Sequence, residues 1–260
     1  MSSNLTPAEL RDQIRRRIWT GPTSGAASGW VQANLVMLPA EAAFHFLPFC
    51  VRNPKPCPIL DVLEPGKVEA QIAPGSDLRR DLPRYRVFEN GTFKLETQDV
   101  SEYFHDDTVS FLLGCSFSFE NAMLAAGLPI RNIEEGKNVS MYITNRQCRP
   151  SGSFHARLVV TMRPMTPEQA IRAVQITTRF HLTHGAPVHI GDPAEIGIPD
   201  LARPDFGDPV TVRPGEIPVF WACGVTSQLA ATSTDLPVVI THSPGHMFVS
   251  DLRDEDPTIL

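Results

Sequence analysis

The stretch VSFLLGCSFSFENAM, residues 109–123, sets five apolar or small residues, Val109 to Leu113, ahead of Gly114, then brings Cys115, Ser116, Ser118 and Glu120 together. The apolar run bounded by glycine reads as a buried strand, and residues 117–127 read as a helix ending on its glycine. Open α/β sheets keep their sites at such junctions, because the first N–H groups of the helix are unpaired and point outward. The plan recurs in FWACGVTSQ, residues 220–228, where a buried strand again runs through a cysteine, Cys223, and small polar residues into a helix. The two thiols are therefore expected at the same edge of one sheet.

Outward from these stretches, Thr6-Pro7-Ala8-Glu9 is a capping box with proline at the first helical position, and Leu10, Ile14 and Ile18 follow at helical spacing. The spacing predicts a helix over 7–18. PAEAAFHFLPFCV (39–51) reads as a second helix that Pro48 should end or kink. Strands are expected at 59–62 and at 84–88, the latter with a turn at Glu89-Asn90-Gly91. RLVVTM (157–162) is a β-branched strand, and Thr166-Pro167-Glu168-Gln169 opens a helix through Arg179. From His181 to Pro218 the chain is rich in turns, and two last strands, 217–223 and 236–241, flank a helical link. Strands alternating with helices predict an α/β fold with parallel pairing.

A chain of 260 residues with 42% hydrophobic content holds one large domain or two modest ones. The net charge of −6, with no basic cluster beyond Arg15-Arg16-Arg17, argues against a nucleic-acid partner. No apolar run approaches the ~18 residues of a membrane span, and the polar N-terminus with Glu9 and Asp12 is unlike a signal peptide, so a cytoplasmic address is expected. Five cysteines without C-x-x-C spacing fit reduced thiols.

GCSFSFE (114–120) stands in one order with GPTSG (21–25), WVQANL (30–35), RNPKPCP (52–58), DLPRYRV (81–87), MYITNRQC (141–148), LVVTMRP (158–164), PVHIGDP (187–193), PGEIPVFWACGVT (214–226) and ITHSPGHMF (240–248). This series resembles the D-glutamate cyclase family, whose bacterial members carry the name hydro-lyase, and it covers nearly the whole chain. The resemblance implies a three-layer α/β domain with a mostly parallel sheet, placed at 1–118 together with 219–260. A smaller two-layer α+β domain is placed at 119–218. It further implies a carbon–oxygen lyase that needs no cofactor and acts on a small acidic substrate, most concretely converting D-glutamate to 5-oxo-D-proline and water.

That reaction needs a cationic clamp for carboxylate, a base for the amine, an acid for the leaving oxygen and N–H donors for the oxyanion. Arg146, with Asn145 beside it, and Arg163 are the clamp candidates, since guanidinium pairs bidentately with carboxylate; a structural or surface ion pair is the plainer reading of each. Cys115 at a helix start would have a lowered pKa and act as base or nucleophile, with Cys223 as its counterpart, or be an inert buried thiol. Ser116 and Ser118 would cradle a substrate anion with the backbone N–H groups, or cap the helix. Glu120 would move a proton, or answer the helix dipole.

His242 and His246 in THSPGHM (241–247), expected in a loop after the last strand, fit acid–base roles. Pro244 and Gly245 break the helical context that H-x-x-x-H needs for zinc, so no metal is expected. His189 and Asp192 would form an oriented pair or an ordinary Asp-Pro turn, while His181 and His184 carry no motif context and read as structural or exposed. Cys115, Arg146, Cys223 and His242 or His246 are expected to line one cleft. Two other functions stay open: a two-cysteine racemase or epimerase of an amino acid, and a non-catalytic carboxylate-metabolite binder. A homo-oligomer stays open as well.

Overall fold

The computed structural model describes residues 5–254. In chain order it contains α1 (Pro7–Arg15), β1 (Trp30–Pro39), α2 (Ala40–Arg52), β2 (Ile59–Val62), β3 (Tyr85–Glu89), β4 (Thr92–Thr97), β5 (Thr108–Gly114), α3 (Phe117–Ala125) and α4 (Arg131–Glu134). There follow β6 (Ser140–Gln147), β7 (Arg157–Met165), α5 (Pro167–Thr177), β8 (His189–Ile190), β9 (Ile217–Ala222), α6 (Val225–Thr232), β10 (Val239–His242) and β11 (Phe248–Arg253).

The expectation of a mostly parallel sheet is overturned. A seven-stranded sheet in the order β2-β5-β1-β10-β3-β4, with β11 also on β1, and a four-stranded sheet in the order β6-β7-β9-β8 are antiparallel at every pairing. The strand–helix alternation is real, but the helices after the cysteine-bearing strands do not return to the same sheet. Helix α3 carries the chain from β5 in the large sheet toward β6 in the small one, and α6 carries it back from β9 to β10. A crossover within one sheet and a crossing between two sheets look alike in local sequence.

The three-layer expectation fails for a related reason. One face of the large sheet is covered by helices, with Phe46 and Phe49 of α2 and Ala230 and Ala231 of α6 packed on Val36, Leu38 and Phe111. The other face is covered by the non-helical chain between β2 and β3, which contributes Leu63, Ala70, Ala73, Leu78 and Leu82 against Leu35, Met37 and Leu112. The small sheet buries Val219 and Trp221 under Phe119 and Met123 of α3 and Ala170 and Ala173 of α5. Strand β9 pairs with β7 and β8, so residues 219–222 belong to this sheet.

Both capping boxes form, Thr6 with Glu9 and Thr166 with Gln169. Helix α1 stops at Arg15 rather than 18, because Arg17 turns into the left-handed region at φ 59°. Helix α2 runs through the half-buried Pro48, and the carbonyl that its missing N–H frees belongs to the exposed Phe44, where water can satisfy it. Asn90 and Gly91, at φ 49° and 70°, make the tight turn expected between β3 and β4. Among the described residues no helix is long and apolar enough to cross a membrane.

Candidate active site at the seam of two sheets

Cys115 and Cys223 end strands of different sheets rather than sharing one edge, and the seam between the sheets brings them together. Their turns share the same backbone hydrogen bonds and one hydroxyl acceptor. The Cys115 N–H donates to the Gln32 carbonyl at 3.1 Å, and the Cys223 N–H to the Val159 carbonyl at 3.0 Å. Three residues on, Ser118 Oγ accepts from the Gln32 N–H at 3.0 Å, and Thr226 Oγ1 accepts from the Val159 N–H at 3.0 Å. Ser116 and Gly224, between them, have nearly the same backbone angles, φ −62° and ψ −17° against −63° and −16°. The backbone N–H groups of Phe117 and Val225 each reach back to the preceding thiol. Each turn thus uses its hydroxyl oxygen to tie the helix start to a neighbouring strand, so Ser118 does not cap α3.

Asn34 of β1 locks the two turns to one another. Its Nδ2 donates to the carbonyls of Leu113 and Gly114, at 3.2 and 2.9 Å, while a Cβ on Gly224 would stand 2.1 Å from the same nitrogen. Gly224 is needed there for close approach and not for its backbone angles, which any residue adopts.

Between the turns lies a buried ion pair. Arg163, fully buried, holds Glu120 through Nη2, and also contacts Thr161 Oγ1 at 3.1 Å and Ser116 Oγ at 3.5 Å. Its guanidinium lies 5.6 Å from the Phe119 ring centroid and 5.4 Å from that of Trp221. Burial raises the Glu120 pKa, opposed by Arg163 and by a hydrogen bond from Ser24. Burial likewise pushes both thiols up, Cys223 to about 11 and Cys115 further, the latter with added repulsion from Cys223 and Glu120 against the pull of Arg163. The expected lowering at a helix start does not occur, because loss of water around a thiolate outweighs one backbone N–H. Both cysteines are protonated thiols at neutral pH.

Three buried polar atoms at this seam have no hydrogen-bond partner: Arg163 Nε, Gln32 Oε1 and His184 Nε2. Each such orphan costs about 1–3 kcal/mol unless water, an ion or a ligand supplies the missing partner. His184 is 1% exposed, its Nδ1 lies 2.8 Å from the Lys55 carbonyl, and Arg163 and Lys55 help burial to hold its pKa at about 4. Lys55 itself is half-buried, and burial lowers its pKa. Sequence reasoning missed Gln32, Asn34, Lys55 and His184 as site residues, although WVQANL and RNPKPCP were among the motifs and contain three of the four. No local signal marked His184.

The remaining candidates lie elsewhere. Asn145 and Arg146 are exposed at the end of β6, where Arg146 donates to the Val188 carbonyl at 3.1 Å; the buried guanidinium at the seam is that of Arg163. His242 is the last residue of β10 and not a loop residue. It is buried, with Nδ1 3.1 Å from the Leu35 N–H and both ring nitrogens 2.8 Å from Gln228 Nε2, and burial lowers its pKa to about 3. It therefore braces α6 and β1 behind the turns. His246 bonds the Pro244 carbonyl at 2.9 Å, and burial lowers its pKa too. His189 bonds the Asp192 backbone carbonyl at 2.7 Å while the Asp192 carboxylate caps Ala194, which makes an Asp-Pro turn. Among the described residues no cluster of three or more His, Cys, Asp or Glu is placed to hold a metal ion.

Two antiparallel sheets meet at two strand-end thiol turns around a buried Arg–Glu pair. Residues 109–251, which contain both thiol turns, match the family described as D-glutamate cyclase. A protein of Thermoanaerobacter sp. (strain X514) named "Putative hydro-lyase" is 57% identical over 253 residues, covering 97% of this chain and 96% of its own. Relatives of the same name in Rubrobacter xylanophilus and Stutzerimonas stutzeri are 58% identical over 250 residues and 56% over 253, each covering at least 96% of both chains. The chain belongs to the D-glutamate cyclase family.

Proposed function

We propose that this protein is a hydro-lyase that expels water from a small acidic substrate held between the Cys115 and Cys223 turns, most concretely in closing D-glutamate to 5-oxo-D-proline. The family and the names of its relatives support the reaction class, and one observation supports the location: the buried Arg163–Glu120 pair, with unpaired polar atoms around it, between two thiol turns. In ring closure the α-nitrogen bonds to the carbon of the γ-carboxyl group, a carbon–oxygen bond of that carboxyl breaks, and two protons pass from nitrogen to the departing oxygen. Arg163 Nε–H offers the carboxylate a donor with no competing partner. Glu120, its pKa raised by burial, is suited to carry a proton, and protonated thiols are suited to lend one rather than to attack.

The equivalence of the two turns favours a second reading, in which Cys115 and Cys223 serve opposite faces of one carbon in a racemase or epimerase. Offering the purified protein D-glutamate, L-glutamate and 5-oxoproline, with products resolved on a chiral column, separates the readings. Ring closure or opening is expected. Interconversion of enantiomers would replace the lyase by the racemase, and stabilisation by ligand without turnover would leave a binding protein.

A further inference from the structure

We infer that His184 contacts the substrate, accepting at Nε2 a hydrogen bond from its N–H or O–H group, an inference that rests on the lyase reading above for the substrate's identity. A carbonyl oxygen can only accept, so the Nδ1 atom that meets the Lys55 carbonyl at 2.8 Å carries the ring proton. Nε2 is then a bare lone pair, and it is buried without a donor. Of the three unsatisfied atoms at the seam, one is a donor, Arg163 Nε–H, on a guanidinium that carries a positive charge. That donor suits a carboxylate. A substrate that also bears a donor needs an acceptor, and the unpaired buried acceptors here are His184 Nε2 and Gln32 Oε1.

The backbone places His184 at this site. Its turn presses on the residue before Cys115, so that a Cβ on Gly114 would stand 1.8 Å from the Leu182 carbonyl oxygen and 3.0 Å from the Thr183 Cα. His184 itself is held at φ 83°, in the left-handed region that is uncommon for residues other than glycine. Strain and an unpaired acceptor at one residue, beside the buried charge of Arg163, mark a group kept for a ligand rather than for the fold.

The test is His184→Asn. Asparagine tolerates the left-handed backbone, and its amide can still donate to the Lys55 carbonyl, but it has no atom at the Nε2 position. Calorimetric binding of D-glutamate and 5-oxo-D-proline, turnover of D-glutamate, and the unfolding midpoint are measured on this variant and the parent. The expected result is an unchanged or higher unfolding midpoint with binding and turnover weakened at least tenfold. Parent-like binding and turnover would overturn the inference, as would a lowered midpoint with binding intact. If neither compound binds the parent, the lyase reading fails, and the nitrogen-15 shifts of the imidazole decide the inference separately: a bare, unprotonated Nε2 upholds it, and a protonated or hydrogen-bonded one overturns it.

Discussion

Arg163 and Glu120 sit where neither charge meets water, so each is stable only because the other is present. Removing one partner leaves the other buried and uncompensated, which generally costs about 3–5 kcal/mol. Glu120→Ala should therefore lower unfolding stability by that amount in denaturant titrations, whereas Glu120→Ala combined with Arg163→Met should recover part of it. Equal losses in the single and double variants would mean that the pair is not coupled. Little of this was legible beforehand. That Arg163 and Glu120 mattered could be read from their motifs, but not that they face one another, because 43 residues and a change of sheet separate them. His184 was illegible for a different reason, since left-handed backbone and complete burial leave no mark on neighbouring residue types.

At the scale of elements, the two thiol turns were legible because each is a local event: a strand, a small residue, and a hydroxyl three residues past the cysteine. Pairing direction was not, because it is decided by strands far away in sequence, and β1, which supplies Gln32 and Asn34, is so completely buried that no alternation reveals it. The correspondence of the turns has a direct consequence. Ser118→Ala strands the Gln32 N–H and Thr226→Ala the Val159 N–H, so each should lose about 1–3 kcal/mol, while Thr226→Ser keeps its bond and much of the stability. Equilibrium unfolding of the three variants checks this, and a harmless Thr226→Ala would break the equivalence. His242 braces α6 from β10 as a neutral imidazole with a pKa of about 3, against about 6.5 in an unfolded chain. Between those values only the unfolded chain takes up the proton. Its contribution is therefore complete above about pH 6.5 and lost at up to about 1.4 kcal/mol per pH unit as pH falls toward 3. His242→Gln should flatten the stability profile over that window by up to one proton; an unchanged slope would show that His242 does not titrate in it.

For the molecule as a whole, the proposed site lies on the line where two sheets meet, and the covalent links across that line include the helices that begin at the thiols. A ligand seated between the turns would contact both halves. Its binding should slow exchange of backbone amides in both halves at once: Cys115 to Ser118 with their partner Gln32, and Cys223 to Thr226 with their partner Val159. The exposed end of β6 around Arg146 should exchange as before, since that arginine donates to the Val188 carbonyl at the surface of the small sheet. Hydrogen–deuterium exchange with and without 5-oxo-D-proline measures this directly. Protection of one turn without the other would place the ligand in a single half and remove the basis for a shared site. Protection of both, abolished by Asn34→Ala, would follow from the position of Asn34, whose amide holds the Gly114 carbonyl while its side chain fills the contact against Gly224.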